Sequence, residues 1–225
     1  CYETVPYYKD LFDKHGVIIN NPDIEEELRK LPPLKKDLII TRTKEFLSTK
    51  YDPEKLIREY TSGSTGEPAT IYKSYLDKVA SGKALWKFRE DEYGIKSSDF
   101  YVRFHMAAVN DKDEAVAQRV IFRENSLSFS LLHLNDEDIT EYYKLLKEYK
   151  VKWIFGAPSA ILLIAQYMEK NNLPPLEDLI YIEVSGEFQT VAAKKKLEEV
   201  FNCKVGDLYG LREVYGVALS CTHDN

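Results

Sequence analysis

Between residues 136 and 209 the apolar residues switch between two spacings, and this switching restricts the possible folds more than any other feature of the chain. The segment DEDITEYYKLLKEYK places Ile139, Tyr142, Tyr143 and Leu146 on one face of a helix. KWIFG is a short unbroken apolar run of the kind that forms a strand. PSAILLIAQYMEKNN returns to helical spacing, with Pro158 suited to the first turn and Ile161, Ile164, Ala165 and Met168 as the inward stripe. LEDLIYIEV then reads as a strand, QTVAAKKKLEEVF as a helix using Ala193, Leu197 and Val200, and CKVGDLYG as a further strand. Helices of this length between short apolar strands are the crossovers of a parallel sheet. The spacing therefore predicts an α/β fold with a mostly parallel sheet and a βαβαβ unit over residues 152–209.

Upstream the pattern is less regular. CYETVPYYKDLFDKHG predicts a short amphipathic helix ending near Gly16. In NNPDIEEELRKLPPLKKDLI, Asn21 or Asp23 caps a second helix, acids fill its first turn, and Pro32 and Pro33 stop it. The strand-favouring residues Ile57, Tyr60, Thr70, Ile71 and Tyr72 bracket a loop rich in Ser, Thr and Gly. A helix is predicted over 75–93, a strand near DFYVRFHMA, and strand, turn and further extended chain in QRVIFRENSLSFSLLHL. The chain thus divides into a helical N-terminal region, 1–55, and an α/β region, 56–225.

Composition excludes several function classes. Net charge is −6 and no dense Lys/Arg run dominates a face, which argues against a nucleic-acid partner, since phosphate neutralisation needs a basic footprint. The most apolar stretch, WIFGAPSAILLIA, is too short for a bilayer and is broken by Gly156 and Pro158, so no membrane insertion is expected. Three cysteines, Cys1, Cys203 and Cys221, form no disulfide framework, and no signal peptide is visible; a reducing, cytoplasmic setting is the simplest reading. Cys203 reads as a small buried hydrophobe, and His15 and His133, without partners in sequence, as structural or exposed. A homodimer is the default oligomer.

Ligands of open α/β sheets bind beyond the carboxyl ends of the strands. At those ends stand Gly156-Ala157-Pro158-Ser159, Ser185-Gly186-Glu187 and Tyr209-Gly210-Leu211-Arg212-Glu213. Ordinary strand-to-helix turns also hold Gly, Ser and Pro, but YGLRE adds a stacking face, a cation and a potential metal ligand. The upstream loop, TSGSTGEP, is not a Walker loop: the spacing fails and Glu67 stands in the place of the lysine. It reads either as a flexible linker or as an anion nest, in which Gly63 and Gly66 turn backbone N–H groups inward while Thr61, Ser62, Ser64 and Thr65 add hydroxyl donors. The strand-like segments close on both sides favour the nest.

TSGSTGEP, SGE and YGLRE, in this order, resemble the adenylate-forming (acyl-activating, AMP-binding) superfamily. VPYYKDLFDKHGV and LRKLPPLKKDLI are similar to its branch of phenylacetate–coenzyme A ligases and CapK-type capsular polysaccharide proteins, so the resemblance runs from about Val5 to Cys221. It implies the N-terminal part of such an enzyme's large domain. It also implies ATP-dependent activation of a carboxylic acid as an acyl adenylate, with coenzyme A as the acceptor. Alternatives are a capsular polysaccharide protein without a coenzyme A step, and a degenerate nucleotide-binding relative. On this resemblance Thr61, Ser62, Gly63, Ser64, Thr65 and Gly66 hold the β- and γ-phosphates. Ser185, Gly186 and Glu187 line the adenine, Tyr209 and Gly210 lie beside it, and Glu213 ligates Mg²⁺. Thr65, Arg212 and Glu213 form the catalytic set, and residues 155–158 and those near His105 border the acyl pocket. Cys221 and His223 are half of a possible zinc site.

Two departures stand out. Arg212 occupies the position of the usual Thr or Ser before the motif glutamate, and the lysine that many relatives carry past the second loop glycine is absent. Relatives also continue well past YGxxE, with a further aspartate and a small lysine-bearing domain. The α/β region is therefore expected to be incomplete at its C-terminus and unable to complete adenylation by itself.

Overall fold

The computed structural model describes residues 1–61, 67–105 and 120–222, and the chain falls into two units, Cys1–Ala80 and Ser81–Asn225. In the first unit, α1 (Pro6–His15) starts on a proline and ends at Gly16, whose φ of 61° is left-handed. Tyr7 and Phe12 on its inner side are buried, and Tyr7 stacks on Phe46 with centroids 4.0 Å apart. Of the two residues able to cap α2 (Ile24–Leu28), Asp23 does so, accepting from the Glu26 N–H at 3.1 Å. Asn21 instead bonds Glu27 at 2.9 Å. α3 (Lys36–Thr41) follows. β1 (Ile57–Tyr60) and β2 (Thr70–Lys73) pair antiparallel, Ile57 opposite Lys73 and Tyr60 opposite Thr70, and buried Lys73 donates to Glu59 across the hairpin at 3.1 Å.

Glu27 is buried and accepts from the Lys30 ammonium at 2.7 Å, the Ile18 N–H at 2.7 Å and the Asn21 amide at 2.9 Å. The Lys30 hydrogen bond first, and then the Ile18 N–H, pull its carboxyl from 4.5 down to about 2. A depressed carboxylate contributes stability that is full above its unfolded value and lost as pH falls through its folded value. Urea titrations of the wild type and Glu27→Gln should therefore differ most above pH 4.5 and converge as pH approaches about 2. A difference that stays constant over that window would refute this role for Glu27.

α4 (Tyr75–Tyr93) begins with a reciprocal cap: the Asp77 N–H donates to Ser74 Oγ at 3.1 Å, and the Ser74 hydroxyl donates to the Asp77 carboxylate at 2.6 Å. The second unit contains β3 (Tyr101–His105), β4 (Val120–Arg123), β5 (Ser126–Ser130), β6 (Trp153–Gly156), β7 (Tyr181–Val184), β8 (Lys204–Tyr209) and β9 (Ala218–Leu219). Among the described residues they form a seven-stranded sheet in the order β4-β5-β3-β6-β7-β8-β9. The inner strands, β5 to β8, run parallel, and β4 and β9 close the edges antiparallel. The crossovers are α5 (Asp136–Glu148), α6 (Pro158–Lys170) and α7 (Val191–Phe201). The βαβαβ unit expected over 152–209 is thus β6-α6-β7-α7-β8.

The stripes of α5 and α6 are buried as their spacing predicts. On α7 the inward pair is Leu197 and Phe201, one turn apart, while Ala193 and Val200 are only half-buried. Alternation along β7 sorts its side chains between two cores. Ile182 and Val184 join the large aliphatic core, whereas Tyr181 joins Tyr93, Ile95 and Trp153 in an aromatic cluster.

Candidate functional site

Parallel register brings the ends of β6, β7 and β8 to one edge, with Gly156 opposite Val184 and Val184 opposite Asp207. The three segments singled out in sequence therefore share one rim. Ser185 ties them together: its N–H donates to the Gly156 carbonyl at 3.0 Å and its hydroxyl to the Leu208 carbonyl at 2.8 Å. Gly186 follows with φ of 87°, a conformation that L side chains rarely adopt. The Glu187 carboxylate accepts from the Ser159 N–H at 3.2 Å and hydroxyl at 2.9 Å. It thereby closes the N-terminus of α6, where Ala157 offers no side-chain cap, and a carboxylate at that end is also favoured by the helix dipole. With both side chains engaged in these ties, the exposed groups beside them are the Gly186 backbone and the aromatic rings of Phe188 and Tyr209, 90% and 60% exposed.

The segment after β8 is a tight loop. Tyr215 N–H donates to Leu211 O at 2.7 Å, Leu211 N–H to Tyr215 O at 3.2 Å, and Val217 N–H to Tyr209 O at 2.8 Å. A Cβ on Gly210 would lie 2.4 Å from the Tyr215 carbonyl oxygen, so the loop closes this tightly only over a glycine. Arg212 and Glu213 stand exposed at its tip and make no hydrogen bond or ion pair among the described residues. An exposed carboxylate of this kind suits Mg²⁺, which binds one or two carboxylates together with phosphate oxygens. Among the described residues no group of three or more metal-ligating side chains forms a protein cage.

Residues on either side of this loop line an apolar cavity of about 180 Å³. One wall is Ser81, Ala84, Leu85 and Phe88 of α4; the other is Leu208 and residues 216–219. Residues 155–158, expected to border an acyl pocket, do not line it: Phe155 packs into the aromatic cluster instead, and Pro158 is buried at the start of α6.

The loop between β1 and β2 belongs to the first unit. Thr61 closes its base, its N–H donating to Ala69 O and its hydroxyl oxygen accepting from the Ala69 N–H, both at 3.0 Å. Ser62, Gly63, Ser64, Thr65 and Gly66 lie outside the described residues, as does His223. Cys221, the other expected zinc ligand, borders a polar cavity with Tyr93, Lys194, Glu198 and Lys204. Cys203 is half-buried against the large core rather than fully buried, and that burial pushes its thiol up to about 12. His133 does have a charged neighbour: its Nδ1 lies 4.0 Å from the buried carboxylate of Asp138.

Sequence reading passed over one buried ion pair. Glu183, fully buried on β7, accepts from Arg89 Nε at 2.8 Å and Nη2 at 2.5 Å, and from the Tyr181 hydroxyl at 3.2 Å. The guanidinium lies 4.6 Å from the Trp86 ring and 5.0 Å from the Trp153 ring. The signal was present: an acid in the middle of the apolar run LIYIEV needs a partner.

The sequence profile of the family described as AMP-binding enzyme matches residues 56–225. Phenylacetate-coenzyme A ligase of Thermus thermophilus is 24% identical over 97% of this chain and 48% of its own length. The 4-hydroxybutyrate–CoA ligase 2 of Metallosphaera sedula is 26% identical over 72% of this chain and 28% of its own length. A crystal structure of 2-hydroxyisobutyryl-CoA ligase in complex with 2-HIB-AMP and CoA superimposes with a TM-score of 0.73 at 16% identity, covering 98% of this chain and 49% of that one. The fold is thus that of the adenylate-forming enzymes, and the chain spans about half the length, or less, of these proteins.

Proposed function

Since the chain belongs to the AMP-binding enzyme family, we propose that it activates a small carboxylic acid with ATP and passes the acyl group to coenzyme A. In the first step a carboxylate oxygen bonds to the α-phosphorus and the bond to the bridging oxygen breaks, releasing pyrophosphate. In the second a thiol adds to the acyl carbon and AMP leaves. The observation that carries this reading is the apolar cavity lined by residues immediately before and after the loop that presents Arg212 and Glu213. The cavity is read as the seat of the acid's tail because its lining residues flank that loop in the chain.

This chemistry needs positioning and charge neutralisation more than covalent help from the protein. Residues 61–66, Thr65 among them, hold the β- and γ-phosphates through backbone N–H groups and hydroxyls. The Thr61 oxygen already accepts from Ala69, which leaves its proton to donate. The backbone at Ser185, Gly186 and Glu187 and the Tyr209 ring beside Gly210 take the adenine. Arg212 offers a planar fork to the α-phosphate or the carboxylate, a geometry that the hydroxyl usual at this position lacks. Glu213 holds Mg²⁺, which when bound neutralises charge on the phosphate oxygens.

Cavity size points to the substrate class. A cavity of about 150 Å³ holds benzene, so about 180 Å³ suits one ring or a short aliphatic chain. The names of three similar proteins specify 4-hydroxybutyrate, phenylacetate and 2-hydroxyisobutyrate, all small acids. The test is isotope exchange between pyrophosphate and ATP by the full-length protein, with a panel of aryl and C2–C8 alkyl acids. Exchange that needs one of these acids supports the reading, and exchange with none of them, under conditions in which ATP binds, defeats it.

Gly216 supplies a sharper check. Its backbone does not require glycine, and a Cβ there would sit 3.6 Å from both Leu85 Cδ1 and Leu208 Cδ1, inside the cavity. Gly216→Ala should raise KM for the largest accepted acid about tenfold, the usual scale for one methylene in an apolar pocket, and leave the smallest acid and ATP nearly unchanged. An unaltered size profile would remove this cavity from the acid site.

A further inference from the structure

We propose that the buried Arg89–Glu183 pair is a positioning device that sets the width of the cavity between α4 and β8; this rests on reading that cavity as the acid site. The pair is in an unusual place. β7 lies between two parallel neighbours, β6 and β8, where buried positions are normally apolar, yet Glu183 is fully buried there. Stability does not explain this, because well-packed apolar residues of similar volume are often as stable as a buried ion pair. What a two-pronged ion pair adds is a fixed position, since the fork is satisfied at one register of helix against strand.

Both cavity walls depend on that register. Leu85 and Phe88 are four residues and one residue before Arg89 on α4. The opposite wall hangs from β8, whose Gly206 pairs directly with Glu183. Gly206 is glycine because a Cβ would come within 2.5 Å of the Tyr181 hydroxyl and 2.8 Å of the Tyr93 hydroxyl. The last turn of α4 then holds the chain beyond β9. The Tyr93 hydroxyl donates to the Ser220 carbonyl, and the Thr222 N–H and hydroxyl both donate to the Glu92 carboxylate at 3.0 Å. Residues 89–93 therefore anchor one helix to β7 and to the chain beyond the edge strand that forms part of the opposite wall.

The test compares the full-length wild type with the double variant Arg89→Met/Glu183→Leu, which removes both charges at similar volume, and with Arg89→Lys, which keeps the charge and loses the fork. Two measurements are made: acid-dependent pyrophosphate exchange, and hydrogen exchange. The double variant should unfold near the wild-type temperature with KM for ATP within about twofold, while KM for the preferred acid rises about tenfold or more and discrimination against its next homologue shrinks. Arg89→Lys should move in the same direction by a smaller factor. Amides of 84–93 and 216–220 should lose protection by about tenfold while those of α5 and α6 keep theirs. Wild-type acid KM and discrimination in both variants, with unchanged protection at 216–220, would overturn the proposal. If the wild type exchanges with no acid, the functional reading fails by itself, and the pattern of protection alone decides whether the pair positions these walls. Should the double variant fail to fold, Arg89→Lys decides by the same two measurements.

Discussion

Glu213→Gln should reduce acid-dependent pyrophosphate exchange by about 10²–10³-fold, the usual scale for one group that stabilises transition-state charge. The side chain is exposed at the tip of the loop after β8 and has no partner among the described residues, so its replacement leaves the fold intact. Surface changes of this type alter stability by about 0.5 kcal/mol or less. Gln keeps the shape and a carbonyl oxygen but not the charge that holds a hard divalent ion. The variant should therefore need much more Mg²⁺ to reach half its own maximal rate, with the unfolding temperature unchanged. Exchange at the wild-type rate and the wild-type Mg²⁺ requirement would remove Glu213 from the metal site. Gly210 shows why this carboxylate is held where it is: the chain turns back so tightly that only hydrogen fits against the Tyr215 carbonyl.

The second large effect is on stability. Glu183→Leu leaves Arg89 buried between two indole rings without its carboxylate, and breaking a buried pair from one side costs about 3–5 kcal/mol. At roughly 2–4 °C per kcal/mol for a chain of this size, the unfolding temperature should fall by about 6–20 °C. The double variant Arg89→Met/Glu183→Leu should recover most of that loss, because no charge is then stranded. Tyr181 reinforces the asymmetry. Burial first, and then the nearby Glu183 charge, raise its phenol above the ordinary value, so it remains a hydrogen-bond donor to Glu183 wherever the protein is folded. Calorimetry of both single variants and the double variant closes the cycle. A single variant as stable as the wild type would mean that the pair is not charged and buried together.

Much of the fold was legible because its signals are local. The helical stripe Ile161, Ile164, Ala165 and Met168 and the strand runs around it recur at periods that only helix and strand satisfy, and all four stripe residues are buried. α4 falls on residues 75–93, as its sequence predicts. The inward face of α7 was read one residue off near its end, where Phe201 rather than Val200 is fully buried, since two adjacent apolar residues satisfy a periodic pattern almost equally well.

The site divides differently. Its segments, SGE and YGLRE, could be placed at strand ends by pattern alone, and their order in the chain already pointed to the family. The two side chains of the first segment that bond within the rim could not be assigned from sequence. Ser185 binds the carbonyls of two other strands and Glu187 caps a helix that begins 29 residues earlier. Such contacts are set by register and crossover geometry, which no local pattern encodes. The apolar cavity between α4 and β8 was not legible in sequence for the same reason. Its walls are a helix and a strand more than 100 residues apart in the chain.

The sequence by itself determined the alternation of helix and strand, the parallel sheet, the place of YGLRE after a strand end and membership of the AMP-binding family, because each depends on residues close together in the chain. The tertiary structure decided which groups meet across it. Glu183 finds Arg89, 94 positions away; Gly206 makes room for two tyrosine hydroxyls; and Leu85 faces Leu208 across the cavity. A buried charge reveals in sequence that it needs a partner, because solvation forbids it to stand alone. Only packing in three dimensions selects the partner.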